Sequence, residues 1–164
     1  MSQTRFINPQ ALGKPPGYTH VVEVTAPGRI VYIAGQLGVD RDGKVVGDFR
    51  RQAVQTFENL KTALAAVGAE FRHVVKLNNY LVDRAHLPTF REVRDSYLPA
   101  GDRPASTTIA ISGLARPGAR LEIEAVAMLP AAARSKPASK SASKRAGAGR
   151  KRRAATRASR SRRK

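Results

Sequence analysis

After Pro130 the chain contains no aromatic residue and no large aliphatic one. Ala, Ser, Lys and Arg dominate residues 131–164, and such a segment cannot bury enough apolar surface to offset the entropy lost on ordering it. Any hydrophobic core must come from residues 1–130, a length that suits one domain. Residues 131–164 read as a disordered tail, with a reach of roughly 30–35 Å as a flexible coil. Charge divides at the same point. The chain carries 30 Lys and Arg against 12 Asp and Glu, a net charge of +18. All twelve acids lie between Glu23 and Glu124, and fourteen of the basic residues follow Pro130. The first part is only mildly basic, and the tail holds most of the net charge.

Several chemistries are excluded at once. There is no cysteine, so no disulfide, thiolate nucleophile or Cys-based zinc site can form. His20, His73 and His86 lack metal-ligand spacing, and neither a metal nor an organic cofactor is expected. No apolar run approaches the ~18 residues of a membrane helix, so no membrane partner is expected. Met1 to Lys14 has neither an apolar core nor a small-residue cleavage site, which reads against a secretory signal and favours a cytoplasmic protein.

Patterning within 1–130 predicts an α+β fold. His20 to Val24 and Ile30 to Ala34 read as strands joined through Pro27-Gly28 in a hairpin. Asp48 is a plausible N-cap for a helix to about Val67, because Phe49, Ala53, Phe57, Leu60, Leu64 and Val67 recur at helical spacing. Gly68 is placed to stop it. His73 to Val82 reads as a central strand. Leu87 to Leu98 reads as a second helix with Pro88 in its first turn. Ser106 to Ile111 and Arg120 to Leu129 read as strands flanking a Gly113–Gly118 loop. The expected order is ββαβαββ, with antiparallel hairpins at both ends and two helices on one face of a mixed sheet. Leu121, Ile123, Ala125 and Ala127 alternate with Glu122, Glu124, Val126 and Met128. Both registers carry apolar groups, so the second sheet face is expected to meet another subunit.

Four stretches together resemble the Rid family, also called YjgF or L-PSP. They are "RIVYIAGQLGV" (29–39), "DFRRQAVQTFENLKTALAAVG" (48–68), the strand at 74–82, and "PASTTIAISGLARPGARLEIEAVA" (104–127) with its E-I-E-A segment. The likeness spans nearly all of 5–130. It implies a chorismate-mutase-like fold, a homotrimer with sheets packed inward, and a cleft at each subunit interface. It also implies hydrolysis of reactive enamines and imines, such as 2-aminoacrylate, to keto acids and ammonia without a cofactor.

Residue by residue, the resemblance makes Tyr18 a cleft-lining tyrosine and Gly35 a glycine whose backbone faces the ligand. It makes Glu122 the glutamate that positions the catalytic water. Other positions depart from the pattern. The arginine that follows Pro-Ala in active members is Ser106 here, the usual cysteine is Thr108, a serine before the Gly-Gln turn is Ala34, and an asparagine on the second helix aligns with Arg91. A guanidinium suits a carboxylate because two parallel N–H bonds form at once, so Arg91 or Arg103 is a candidate replacement. Each residue also has a plain reading. Glu122 or Glu124 can pair with a basic neighbour such as Arg120, Tyr18 can be a surface loop residue, Ser106 and Thr108 can be satisfied by the strand ladder, and Arg91 can be solvated.

The tail contains "GRKRR", with Arg150, Lys151, Arg152 and Arg153, and "SRSRRK", with Arg160, Arg162, Arg163 and Lys164. Such segments bind polyphosphate by releasing condensed counterions. Without aromatics to stack on bases, sequence readout is not expected. Three functions are in play: an imine or enamine deaminase with a changed clamp, a metabolite-binding trimer without turnover, and, least supported, a ribonuclease.

Overall fold

The computed structural model describes residues 4–25 and 28–131. The tail and its eight basic candidates therefore lie outside the described residues, as does Pro27 of the expected first turn. Strands β1 (Thr4–Ile7) and β2 (Val21–Val24) form a two-stranded antiparallel ribbon. Strands β3 (Arg29–Leu37), β4 (Val74–Leu81), β5 (Ala105–Ala110) and β6 (Leu121–Leu129) form a sheet in the order β3-β6-β4-β5. β6 runs antiparallel to both neighbours, and β5 lies parallel to β4 at the edge. Helix α1 (Phe49–Ala65) follows β3, and α2 (Leu87–Tyr97) makes the crossover between the parallel pair, as a parallel connection requires.

The two helices form for legible reasons. Asp48 accepts a hydrogen bond from the Arg51 backbone N–H at 2.9 Å, satisfying one of the unpaired donors of the first turn. The stripe Phe49, Ala53, Phe57, Leu60 and Leu64 is buried. Past the helix, Gly68 adopts φ +72°, the left-handed conformation that lets the chain turn away. Phe90 and Val93 of α2 are buried on the same side. Phe57 has no exposed surface and stacks on Tyr97 at 5.0 Å between ring centres, with Phe71 at 6.0 Å and Phe90 at 6.4 Å. Leu121, Ile123, Ala125, Ala127 and Leu129 present the buried register of β6 to this core.

Both expected hairpins are overturned, and one strand was not foreseen. β2 pairs with β1 instead of β3, with Phe6 opposite Val22 and Arg5 bonded to Glu23 at 2.7 Å. β1 has four residues, too few for alternation to show. At the other end, β5 and β6 are not neighbours. β6 has the most regular alternation in the chain, with one whole register buried, which places one of its faces on the core but does not fix its neighbours. The segment 111–120 lets it cross to lie between β3 and β4. The order is βββαβαββ.

The face of the sheet away from the helices is uncovered in one chain. On it Ile30, Tyr32 and Ile109 are 55%, 78% and 48% exposed, and Ile30 and Tyr32 sit opposite Met128 and Val126. Among the described residues, no helix is long and apolar enough to cross a membrane.

Candidate functional site

Edge strand β5 carries Ser106, Thr108 and Ala110 on the same face as Leu77, Asn79 and Leu81 of β4, which their register places opposite. The first turns of α2 stand above that edge. A third wall comes from the loop before β2. The Thr19 backbone N–H donates to the Pro104 carbonyl at 3.2 Å, pinning the loop to the start of β5. Tyr18 is thereby held over the strand, with its ring edge-on to His20 at 5.3 Å. These three elements enclose a cavity of about 440 Å³, within the size range of small-molecule sites.

Tyr18, Arg91, Ser106 and Thr108 all line this cavity, so four of the residues expected from the sequence are brought together. Arg103 does not line it, and its guanidinium is tied to Asp95. Two arginines not anticipated do line it, Arg84 and Arg94. Arg94 is the more unusual, with a side chain only 5% exposed. Its Nε donates to Oδ1 of Asp95 at 2.9 Å, and Nη2 lies in an ion pair with the same oxygen at 2.8 Å. Burial pushes the Asp95 carboxyl up, but the hydrogen bonds and charges of Arg103 and Arg94 outweigh this and leave it below its ordinary value. Gly17, at φ +86°, lies flat against both guanidinium groups, where a Cβ would collide with Nη2 of Arg94. A signal for Arg94 was present in the sequence: with Phe90, Val93 and Tyr97 it falls on one helical stripe, where a charge needs a reason.

Asn79 lies beneath the cavity floor with no exposed surface. Its Nδ2 donates to Ser106 Oγ at 2.9 Å, the Thr107 carbonyl at 2.9 Å and Thr108 Oγ1 at 3.2 Å. The Thr107 carbonyl fixes the amide orientation, because a flipped amide would set oxygen against oxygen. With two N–H groups for three acceptors, one N–H is shared, and the hydroxyls that accept from Asn79 keep their own O–H groups to donate elsewhere. The Asn79 Oδ1 is buried without a partner among the described residues.

Gly35 and Glu122 are not in the cavity. Glu122 projects from the opposite face of the sheet, with Glu124, Asn78 and Tyr80. Glu124 is engaged there, accepting from Tyr80 Oη at 3.1 Å and Asn78 Nδ2 at 3.3 Å. The bond to Glu124 is the main reason the Tyr80 phenol titrates above its ordinary value, followed by burial. Glu122 takes no hydrogen bond or ion pair among the described residues, and the pairing with Arg120 is not formed. Gly35 occupies the register shift of β3 between Ile33 and Gln36. A Cβ there would overlap the Glu122 carboxylate, so the glycine is what lets this acid lie across the strand.

Comparison with known proteins gives a consistent picture. The family model described as Endoribonuclease L-PSP matches residues 9–129. Protein DfrA of Myxococcus xanthus is 37% identical over 122 residues, covering 73% of this chain and 88% of that protein. A 2-iminobutanoate/2-iminopropanoate deaminase of Mus musculus is 36% identical over 122 residues, covering 73% and 84%. The 3-aminoacrylate deaminase RutC of Acinetobacter baylyi is 33% identical over 117 residues, covering 70% and 91%. Among solved structures, the Rid-family protein YyfB from Yersinia pestis superposes with a TM-score of 0.69 at 34% identity, covering 77% of this chain and 98% of that one.

Proposed function

The chain belongs to the Endoribonuclease L-PSP family, also known as Rid, and from that premise we propose that it hydrolyses reactive imines and enamines to a carbonyl compound and ammonia. The observation that carries the reading is the cavity in which Tyr18, Arg91, Ser106 and Thr108 converge. Its polar side chains are guanidinium groups and hydroxyls, and no carboxylate lines it. That lining suits a substrate with an acidic group. Deaminases acting on 2-iminobutanoate and 2-iminopropanoate stand among the relatives.

Imine hydrolysis adds water to the carbon of the C=N bond. One proton of that water passes through a base to the nitrogen, giving a carbinolamine; its hydroxyl then yields its proton as the C=O bond forms, the C–N bond breaks, and nitrogen takes that proton and leaves as ammonia. Glu122 is the candidate base, because its carboxylate has no competing partner among the described residues. Cavity and Glu122 lie on opposite faces of one sheet, so a site that uses both needs two copies of the chain. Packing the uncovered faces together in a homotrimer supplies the second copy and removes Ile30, Tyr32 and Ile109 from water. In this reading the site departs from the family pattern at Ser106, where the expected arginine is absent, and no cofactor takes part.

The test is ammonia release from freshly generated imines, carboxylated and not, by the full chain and by Glu122→Gln. Turnover that falls at least ~100-fold in the variant is expected. Ligand-induced thermal stabilisation with no ammonia from either class would replace this reading with a non-catalytic binding trimer. RNA cleavage unchanged in Glu122→Gln would point to a contaminant. The tail, through Arg150–Arg153 and Arg160–Lys164, is proposed to bind nucleic acid without sequence preference, in the cytoplasm. Affinity should fall steeply with salt and vanish on removing 131–164; salt-independent binding would exclude it.

A further inference from the structure

Ser106 leaves the cavity without the cation its family position predicts, yet the cavity is not short of cations. Arg94 enters it from α2, buried and braced. Its Nε and Nη2 are held by Asp95, and its Cζ lies 5.8 Å from the centre of the Phe90 ring. Nη1 donates to no described residue. Asp95 also serves Arg103, so one carboxylate answers two guanidinium groups and leaves an excess positive charge at a buried point. That is costly unless an anion joins it. Below, the Asn79 amide turns the Ser106 and Thr108 hydroxyl protons away from the strand. At the rim, Arg84 and Arg91 are exposed, and neither has a described ion-pair partner. The charges point to two places for an acid, one deep and one at the mouth.

We propose that Arg94 is the specificity-determining cation of the cavity and that the site takes a small dianion, a 2-imino or 2-oxo dicarboxylate. One carboxylate meets Arg94 Nη1 and the Ser106 and Thr108 hydroxyls, and the other meets Arg84 and Arg91. The assignment deepens the imine-hydrolase reading, but its binding half stands without turnover. A guanidinium serves the deep position better than an ammonium, because Asp95 fixes its plane and Nη1 remains to donate.

The experiment measures binding of oxaloacetate, succinate, pyruvate and propionate to the full chain by calorimetry, with circular dichroism confirming the fold of every variant. Each diacid should bind at least about 10-fold tighter than its monoacid counterpart, since one charge-assisted contact supplies that much. The exposed pair Arg84→Gln/Arg91→Gln should bring diacid affinity down to that of the monoacids. Arg94→Lys should weaken all four acids about 10-fold or more. Arg94→Gln gives the same test without charge if it folds, and Arg94→Lys suffices if it does not. Equal affinity for diacids and monoacids, or full affinity in Arg94→Lys, would overturn the assignment. Diacid binding without ammonia release would sink only the hydrolase reading. Ammonia release from monocarboxylate imines unaffected by Arg94→Lys would sink only this one.

Discussion

Gln52 ties three separated pieces of chain together, and replacing it with Met isolates the worth of that tie. The side chain is 2% exposed on α1. Its Oε1 accepts from the Arg120 backbone N–H at 2.9 Å, and its Nε2 donates to the carbonyls of Gly118 at 3.2 Å and Gly47 at 3.4 Å. Methionine has nearly the same length and suits a helix equally well, so packing is held nearly constant and the hydrogen bonds alone are removed. The Arg120 N–H loses its partner, which costs about 1–3 kcal/mol if water does not reach it. The two longer bonds add about 0.5–1 kcal/mol each, and burying a thioether in place of an amide returns part of this. The expected net loss is about 2 kcal/mol. For a domain of this size that is a fall in Tm of about 6–10 °C at fixed protein concentration. Urea unfolding should show a lower midpoint with an unchanged m-value, and hydrogen exchange should speed up around 116–121. A loss under 0.5 kcal/mol would show that solvent replaces Gln52 freely and that the 113–120 loop is held by other means.

Gly35→Ala should change stability by less than about 1 kcal/mol, since the Glu122 side chain can swing aside, yet lower kcat for imine hydrolysis with little change in KM; full activity would remove Glu122 from the chemistry. Asp48→Ala should cost about 1 kcal/mol through loss of the α1 cap, read by chemical denaturation. The Tyr97 phenol, partly buried and bonded to Glu58 Oε1 at 2.8 Å, is pushed up to about 12, by burial first and then by that bond. Its folded value lies above the unfolded one near 10, so its contribution is whole below pH 10 and is lost as pH rises toward 12. Unfolding midpoints at pH 9 and 11 should therefore differ more in the native chain than in Tyr97→Phe.

Local signals carried the helices well. Asp48, the stripe from Phe49 to Leu64, and Gly68 are all consequences of neighbours a few residues apart, and the sequence states them directly. Strand partnership is a different kind of information. Nothing within 121–129 says that it will separate β3 from β4, because that choice depends on which assembly buries Leu121, Ile123 and Ala125 most completely. The same holds for the site. Tyr18, Ser106 and Thr108 were found through family resemblance, whereas Arg94 emerged only once α2 was seen to turn its charged residue inward. The separation of Glu122 from the cavity follows from period-two alternation and the strand order together, and the order was the part not legible.

The strand made last in this domain is the one the sheet is built around. As the chain leaves the ribosome, β3 has no sheet neighbour until 121–129 emerges, and β4 can pair only with β5. A nascent chain at this stage exposes two unsatisfied strand edges together with the apolar registers of both. Closure is then an event of high sequence separation, joining residues near 30 to residues near 125, and such closures are slow. A stop within 111–120 would therefore yield no smaller version of the domain. It would leave a collapsed, association-prone fragment, and surveillance of unfinished chains would decide its fate.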